Sequence, residues 1–413
     1  MARRALILIE GHRGNGLVYV QAAQHLGLHP ITLSADPSRY DYLAAESIEA
    51  IRVDTDNLDA LIRECSRLRA TYDIAGITGF PIPGEWVYAT VGRLCQYFDL
   101  PGPNPESIER CLDKFTQRQL LAEAGVPQPT YRLAANAAEI ESAAAEIGLP
   151  VIVKPAVGSG SSGGVRLCRN VEEVAEHTTY LLGGQHIWRS SPRILVEEFA
   201  QGPNCGPAIM GNEIIGIGAV DFGDQPHFVI REYIYPALLT DDEHKRITNI
   251  SLSCLRALGL GWGPTCIEFH LTKRGPVVIE VNPRLGGMPD PQLIQLAYGI
   301  DLITEHIKLV IGEEWNLRKR HSHTAAARFL FPDRDGILDW IDGDSRAAAV
   351  PGVAEVKLYV EPKTPIVRKG DGRAAHVGHV IAASPSLAQT HATLQRAVDL
   401  IGWSIRPLPT LGE

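Results

Sequence analysis

The chain has 413 residues, is 45% hydrophobic and 21% charged, and carries a formal net charge of -9. That is soluble-globular composition with room for two to four domain-sized units. The acidic balance argues against nucleic acid or an anionic membrane as main partner, and the basic run RKRH at 318–321 reads as a solvated loop.

The N-terminal text MARRALILIE is too short in apolar residues for a signal-peptide core, and no stretch approaches a membrane span. Seven cysteines (65, 95, 111, 168, 205, 254 and 266) form no C-x-x-C pair. Scattered thiols read as reduced, so a cytoplasmic location is expected.

Residues 1–105 alternate apolar strands with amphipathic helices: ALILIE, VYVQAAQHLG, HPITLSA, NLDALIRECSRL, DIAGITG and VYATVGRLCQYFDL. This pattern predicts an α/β unit with a doubly wound parallel sheet. GHRGNG follows the first strand with G-x-x-G-x-G spacing, which is not the dinucleotide fingerprint. A turn lining a substrate cleft at the strand ends is expected instead. PGPNPES at 101–107 marks a boundary, with Ser107 as the expected helix cap.

CLDKFTQRQLLAEAGVPQP then predicts a helix that begins near Lys114 and stops at the prolines. LPVIVKPAVGSGSSGGVRL predicts a strand ending at Lys154, a Gly/Ser loop over Gly158, Ser159, Gly160, Ser161, Ser162, Gly163 and Gly164, and a second strand. Backbone amides in such a loop can approach phosphate oxygens, and Lys154 adds a point charge. The loop lacks GK[ST], so it is not a Walker A loop; a plain flexible linker is the alternative.

GPTCIEFHL and GPVVIEVNPRLGG read as neighbouring strands. Side chains two apart share a face, so Glu280, Asn282 and Arg284 are expected to project together, joined by Glu268. Two carboxylates and an amide oxygen suit Mg²⁺ beside phosphates, and an arginine suits a phosphate or carboxylate. A solvated hairpin is the alternative, but it has no need of E-x-N-P-R. YGIDLITEHIKLVIGEEW reads as one closing helix. In the remainder, AAARFLFP, AEVKLYV and HVGHVIAAS look like strands and SLAQTHATLQRAVDLIG like a helix, a C-terminal α+β unit.

In this order the motifs resemble the ATP-grasp superfamily, along nearly the whole chain. The resemblance implies a pre-ATP-grasp domain at 1–105, an ATP-grasp core at 106–312 with a lid subdomain at 125–192, and a C-terminal α+β domain at 313–413. It assigns Lys114, Lys154, the 158–164 loop and the hinge residues Glu197, Glu198, Phe199 and Ala200 to ATP. Glu268, Glu280 and Asn282 become ligands of two Mg²⁺ ions, with Mn²⁺ as a substitute. Arg284 becomes the catalytic arginine.

The layout looks most like the L-amino acid ligases that make dipeptides. It implies ATP-dependent joining of a carboxylate to an amine through an acyl phosphate, in peptide natural-product biosynthesis. Amino acids, as small-molecule substrates, would be the partners, and a homodimer is left open. The alternatives are a degenerate nucleotide-binding scaffold and a carboxylase or purine-pathway enzyme.

Three places depart from the pattern. Cys266 stands where these ligases commonly carry His, reading either as a buried thiol or as a changed acyl pocket. PNCGPAIM lacks the usual acidic residue, and GGMPDP has prolines where a helix usually starts. Arg231 and Glu232 read as a surface ion pair or, more sharply, as contacts to an amino acid's two charges. No sequence feature marks the base that takes the amine's proton.

Overall fold

The computed structural model describes residues 2–81, 84, 86–157, 164–183, 192–223, 228–367 and 376–408. The first unit is a parallel sheet of β1 (Arg3–Ile9), β2 (His29–Ser34), β3 (Glu49–Arg52) and β4 (Tyr72–Gly79), in the order β3-β2-β1-β4. Around it lie α1 (Gly16–His25), α2 (Asp41–Ala45), α3 (Leu58–Arg69) and α4 (Val87–Phe98). Ala5 to Ile9 of β1 are fully buried, as expected of a strand covered on both faces. The expected parallel α/β unit is present.

Two short helices lead into the centre, α5 (Pro105–Leu112) and α6 (Lys114–Glu123). The cap of α5 is Asn104, whose Oδ1 accepts the backbone N–H of Ser107 at 2.8 Å; Ser107 itself lies inside the helix. The proline at 105 occupies the first helical turn, where it is tolerated, and this shifts the start earlier than expected. α6 ends at Glu123 with Ala124 as its cap, and Gly125 then turns with φ 69°, ahead of the first proline at 127.

A small antiparallel sheet follows, made of β5 (Tyr131–Ala134), β6 (Val151–Pro155), β7 (Arg166–Cys168) and β8 (Ile194–Glu198), in the order β5-β8-β6-β7. It is backed by α7 (Ala137–Ile147) and α8 (Val171–Leu182). The Gly158–Gly163 part of the predicted loop lies outside the described residues.

The large sheet takes β9 (Asn204–Met210), β10 (Glu213–Asp221), β11 (Glu232–Tyr235), β12 (Pro264–Thr272) and β13 (Gly275–Asn282), with α9 (Asp241–Leu258), α10 (Asp290–Tyr298) and α11 (Leu302–Val310). The expected closing helix at 298–315 is α11, shorter than expected at both ends; α10 lies ahead of it and ends at Gly299, which takes the left-handed conformation at φ 71°.

The last part adds β14 (Thr324–Leu330), β15 (Gly336–Asp342), α12 (Asp344–Ala348), β16 (Val353–Leu358), β17 (Pro365–Ile366), β18 (Gly378–Ser384), α13 (Leu387–Val398) and β19 (Gly402–Arg406). Sequence reading expected only the strands at 14, 16 and 18 of this series; β15, β17 and β19 form a separate three-stranded sheet. The other three extend the large sheet, whose order is β13-β12-β9-β10-β11-β14-β18-β16. One antiparallel sheet therefore runs across residue 313, through the pairing of β11 with β14. No helix is long and apolar enough to cross a membrane, among the described residues.

Candidate active site

α6 is tied to both sheets. Asp113 caps it, accepting from the amides of Phe115 at 2.9 Å and Thr116 at 3.1 Å. Gln117 exchanges two hydrogen bonds with the backbone of Val281, donating to its carbonyl at 2.9 Å and accepting its N–H at 2.8 Å. Arg118, 1% exposed, donates from Nη2 to the Ile279 carbonyl at 2.6 Å and from Nε to Glu197 Oε1 at 2.6 Å. These bonds set the start of α6 directly beside β13.

Lys114 and Lys154 consequently meet the acidic pair. In the register of β12 and β13, Glu268 stands opposite Glu280 and Cys266 opposite Asn282. Lys114 Nζ lies 2.8 Å from Glu280 Oε1. Lys154 Nζ lies 2.7 Å from Glu197 Oε2. Burial and the neighbouring Glu280 push the Glu268 carboxyl up to about 7. Glu280 goes the other way: burial opposes its charge, but Lys114 and Lys154 hold it low. Burial also lowers the Lys154 ammonium, with Glu197 opposing.

Glu197 is 2% exposed and, despite burial, is held down to about 2 by Arg118 and Lys154. Its carboxylate is fully engaged, so a nucleotide contact from this residue would have to come from its backbone. Glu198 reaches Arg274 at 2.5 Å and accepts the Thr130 N–H at 3.2 Å. Phe199 is half-buried and Ala200 buried, just beyond the end of β8. Gly164, the one described member of the glycine loop, has φ 74° and gives its carbonyl to His177 Nε2 at 2.8 Å.

β13 ends at Asn282, so Arg284 lies in the turn beyond it, not on the strand as expected. Its amide donates to the Asn282 carbonyl at 2.8 Å and its Nη1 to the Leu285 carbonyl at 3.1 Å. The guanidinium still bears on Glu268 and Glu280 electrostatically. Cys266 is partly exposed; burial, Asp290 and Glu268 push its thiol up, so it is a neutral group in the pocket.

Among the described residues, Glu232 does not pair with Arg231. Glu232 bonds Arg328 at 2.8 Å and His391 at 2.8 Å. Strand alternation turns Glu232 away from the face that carries Tyr233 and Tyr235, which is the face toward Asp290 and Cys266. Arg231, outside β11, donates its amide to the Asp221 carbonyl at 2.7 Å.

Sequence reading missed Gln117, Arg118, Tyr233, Tyr235 and Asp290. A signal existed for Arg118, which is four residues from Lys114 and shares its helix face. None existed for Asp290, whose neighbours come from β11 and β12.

The first unit reaches the same place. A side chain at Gly14 would lie 2.7 Å from Met288, so the 10–16 turn packs on the 286–290 turn. Buried Glu10 fixes that turn, with φ 63°, by accepting from Ser34 at 2.6 Å, Thr55 at 2.5 Å, Tyr40 at 3.1 Å and the Ala35 amide at 3.0 Å.

The donor set suits a hard divalent cation. Glu268 and Glu280 stand opposite each other across β12 and β13, and Glu280 with burial raises the Glu268 carboxyl, a cost that a cation would offset. The third donor is an amide; among the described residues no group of three or more His, Cys, Asp or Glu converges on one point.

A small antiparallel sheet hinged to a large one, with lysines and carboxylates between them, defines an ATP-grasp architecture. Residues 113–318 match the carbamoyl-phosphate synthase L chain, ATP binding domain, and residues 328–406 match the L-amino acid ligase C-terminal domain 2. The chain is 61% identical over 411 residues to the uncharacterized protein y4rH of Sinorhizobium fredii, covering 100% of this chain and 85% of that protein. Human carnosine synthase 1 is 25% identical over 332 residues, which are 74% of this chain but only 39% of that enzyme. The crystal structure of the L-amino acid ligase from Bacillus licheniformis superimposes with a TM-score of 0.81 at 18% identity, covering 98% of this chain and 100% of that one. Phosphoribosylglycinamide synthetase from Anaerococcus prevotii gives 0.72 at 20% identity, covering 98% and 100%. The chain belongs to the ATP-grasp carboxylate–amine ligase family, with the C-terminal domain of the L-amino acid ligases. Enzymes of this family bind ATP and Mg²⁺.

Proposed function

We propose that this protein is an ADP-forming ligase that joins the carboxylate of one amino acid to the amine of another. The observation that carries the reading is the Glu268–Glu280 pair facing Lys114 and Lys154. Paired carboxylates with lysines beside them are what a metal-bound triphosphate requires. The names of the relatives, carnosine synthase and D-alanine–D-alanine ligase among them, support amino acids as substrates.

In this reading Glu268, Glu280 and Asn282 would hold Mg²⁺, which offsets phosphate charge during transfer. Lys114 and Lys154 hold the phosphate oxygens, and Lys114 turns from Glu280 to do so. The hinge residues Glu197 to Ala200 offer backbone groups to the base. Residues 158–164 cover the phosphates and exclude water. Arg284 holds the acid's carboxylate, then the oxyanion that forms when the amine attacks. The domain limits near 105 and 313 belong to the same proposal, as does a place in peptide natural-product synthesis.

ADP release, screened over pairs of amino acids with mass detection of the product, tests it. Release that needs both an acid and an amine is expected. ATP binding without release for any pair would turn the reading toward a scaffold, and release driven by bicarbonate toward a carboxylase. Arg284→Lys should bind ATP as the parent does and lose amide formation about a hundredfold. Loss confined to ATP binding would remove Arg284 from the chemistry.

A further inference from the structure

Beside Arg284 the pocket has a second charged group that the proposed mechanism does not use. Asp290 opens α10 and is 1% exposed. Its Oδ1 accepts the Tyr235 hydroxyl at 2.7 Å, and the neighbouring Tyr233 also bears on the carboxyl electrostatically. Its Oδ2 is buried with no hydrogen-bond partner. A buried carboxylate oxygen with no donor is costly, and such an orphan calls for an explanation.

The surroundings are shaped to keep this group in place. A side chain at Gly286 would sit 2.1 Å from Oδ2, so only glycine lets the turn lie over the carboxyl. A side chain at Gly218 would strike the Tyr233 and Tyr235 rings at 2.8–2.9 Å, and one at Gly216 would strike Tyr298 at 2.5 Å. The floor of β10 is thus cleared for a stack of tyrosines that ends on Asp290. Tyr233 is partly exposed, while Tyr235 is buried at 1%. Arg284 and Cys266 complete the surround. Burial pushes the Asp290 carboxyl upward, which suits a group that must gain a proton during turnover.

We propose that Tyr233 and Asp290 form the proton exit for the attacking amine: Tyr233 contacts the substrate nitrogen, and Asp290 behind it receives the proton. This rests on the ligase reading above. Starting from the substrate ammonium, the new N–C bond forms and the C–O bond to phosphate breaks, with phosphate leaving on the electron pair. The amide keeps one of the three nitrogen protons. A second passes to the Tyr233 oxygen as the Tyr233 proton moves to the Asp290 carboxylate, and the third leaves with the departing phosphate. Arg284 meanwhile faces the oxyanion, so the two charged residues serve opposite ends of one tetrahedral intermediate.

Hydroxylamine separates this role from a structural one, because it is already neutral at neutral pH and has no ammonium proton to shed. Full-length protein, Asp290→Asn and Tyr233→Phe would each be given ATP, Mg²⁺ and the proteinogenic L-amino acids, with and without hydroxylamine. Amide and hydroxamate are read separately, with ATP affinity and thermal midpoint as controls. We expect both variants to lose amide synthesis about a hundredfold, the scale of general base catalysis, and to keep hydroxamate formation within about threefold. The double variant should be no worse than either single one. An equal fall with both nucleophiles, or no fall with either, would overturn the proton exit. Parent protein that makes neither product would instead sink the ligase reading, and this inference with it.

Discussion

Arg118, 1% exposed, donates to one carboxylate and two backbone carbonyls. Arg118→Met would leave Glu197 with Lys154 alone and strand two carbonyls. Removing one partner of a buried charge network costs about 3–5 kcal/mol, so the urea midpoint should fall strongly even without substrate. Glu280→Gln is the contrasting case. It keeps the shape of the side chain and should leave thermal stability near the parent value, while ADP release at ordinary Mg²⁺ is nearly abolished. Near-parent turnover would take Glu280 out of the metal site. The residues whose chemistry is unusual for a strand, Lys154, Glu268 and Glu280, were legible in the sequence. Arg118 and Asp290 were not, because what they do is set by strands far away along the chain. Glu232 misled for the same reason: its charge is answered by Arg328 and His391, which adjacency to Arg231 does not reveal.

Helices α1 and α11 meet through Tyr19 and His306, whose Oη and Nδ1 are 2.7 Å apart in the core. Burial lowers the His306 imidazole from 6.5 to about 4. The unfolded chain therefore takes up a proton below pH 6.5 that the folded protein refuses until about pH 4. This contribution to stability is complete above pH 6.5 and is lost as pH falls toward 4. Between pH 6.5 and 5 the loss is about 2 kcal/mol, and His306→Gln should remove it. Urea midpoints of both proteins at pH 7 and pH 5 measure the difference; the same pH dependence in each would exclude His306 as its source. Among the elements, periodic helices and buried strands were foreseen, but short strands such as β17 and the end of α10 at Gly299 were not. A two-residue strand has no period to read, and a left-handed glycine is visible only as a φ angle.

At the scale of the molecule, the large sheet spans the ATP-grasp part and the C-terminal part through the β11–β14 pairing. A fragment ending at residue 312 would expose the four-residue edge of β11, where Tyr235 pairs with Ala325. It should aggregate or unfold, as limited proteolysis and light scattering would reveal. A monomeric fragment with a cooperative thermal transition would mean that the C-terminal part is dispensable for folding. Nucleotide with Mg²⁺ should slow hydrogen exchange at 158–164, and equal exchange with and without it would count against a phosphate cover. The parallel first unit and the order of the parts could be read from the alternation of patterns. That one sheet crosses the apparent boundary could not, since strand partners are not written locally.

The Arg118 side chain grips the small sheet at Glu197 of β8 and the large sheet at Val278 and Ile279 of β13. Any relative motion that preserves this grip is a rotation about it, like a door on its pin. Displacement then grows in proportion to distance from the pin. The hinge residues beside Glu197 would hold still while β7, at the far edge of the small sheet, sweeps a wider arc. Such a lever lets one end of a ligand stay docked at fixed geometry while the opposite end is alternately uncovered and enclosed.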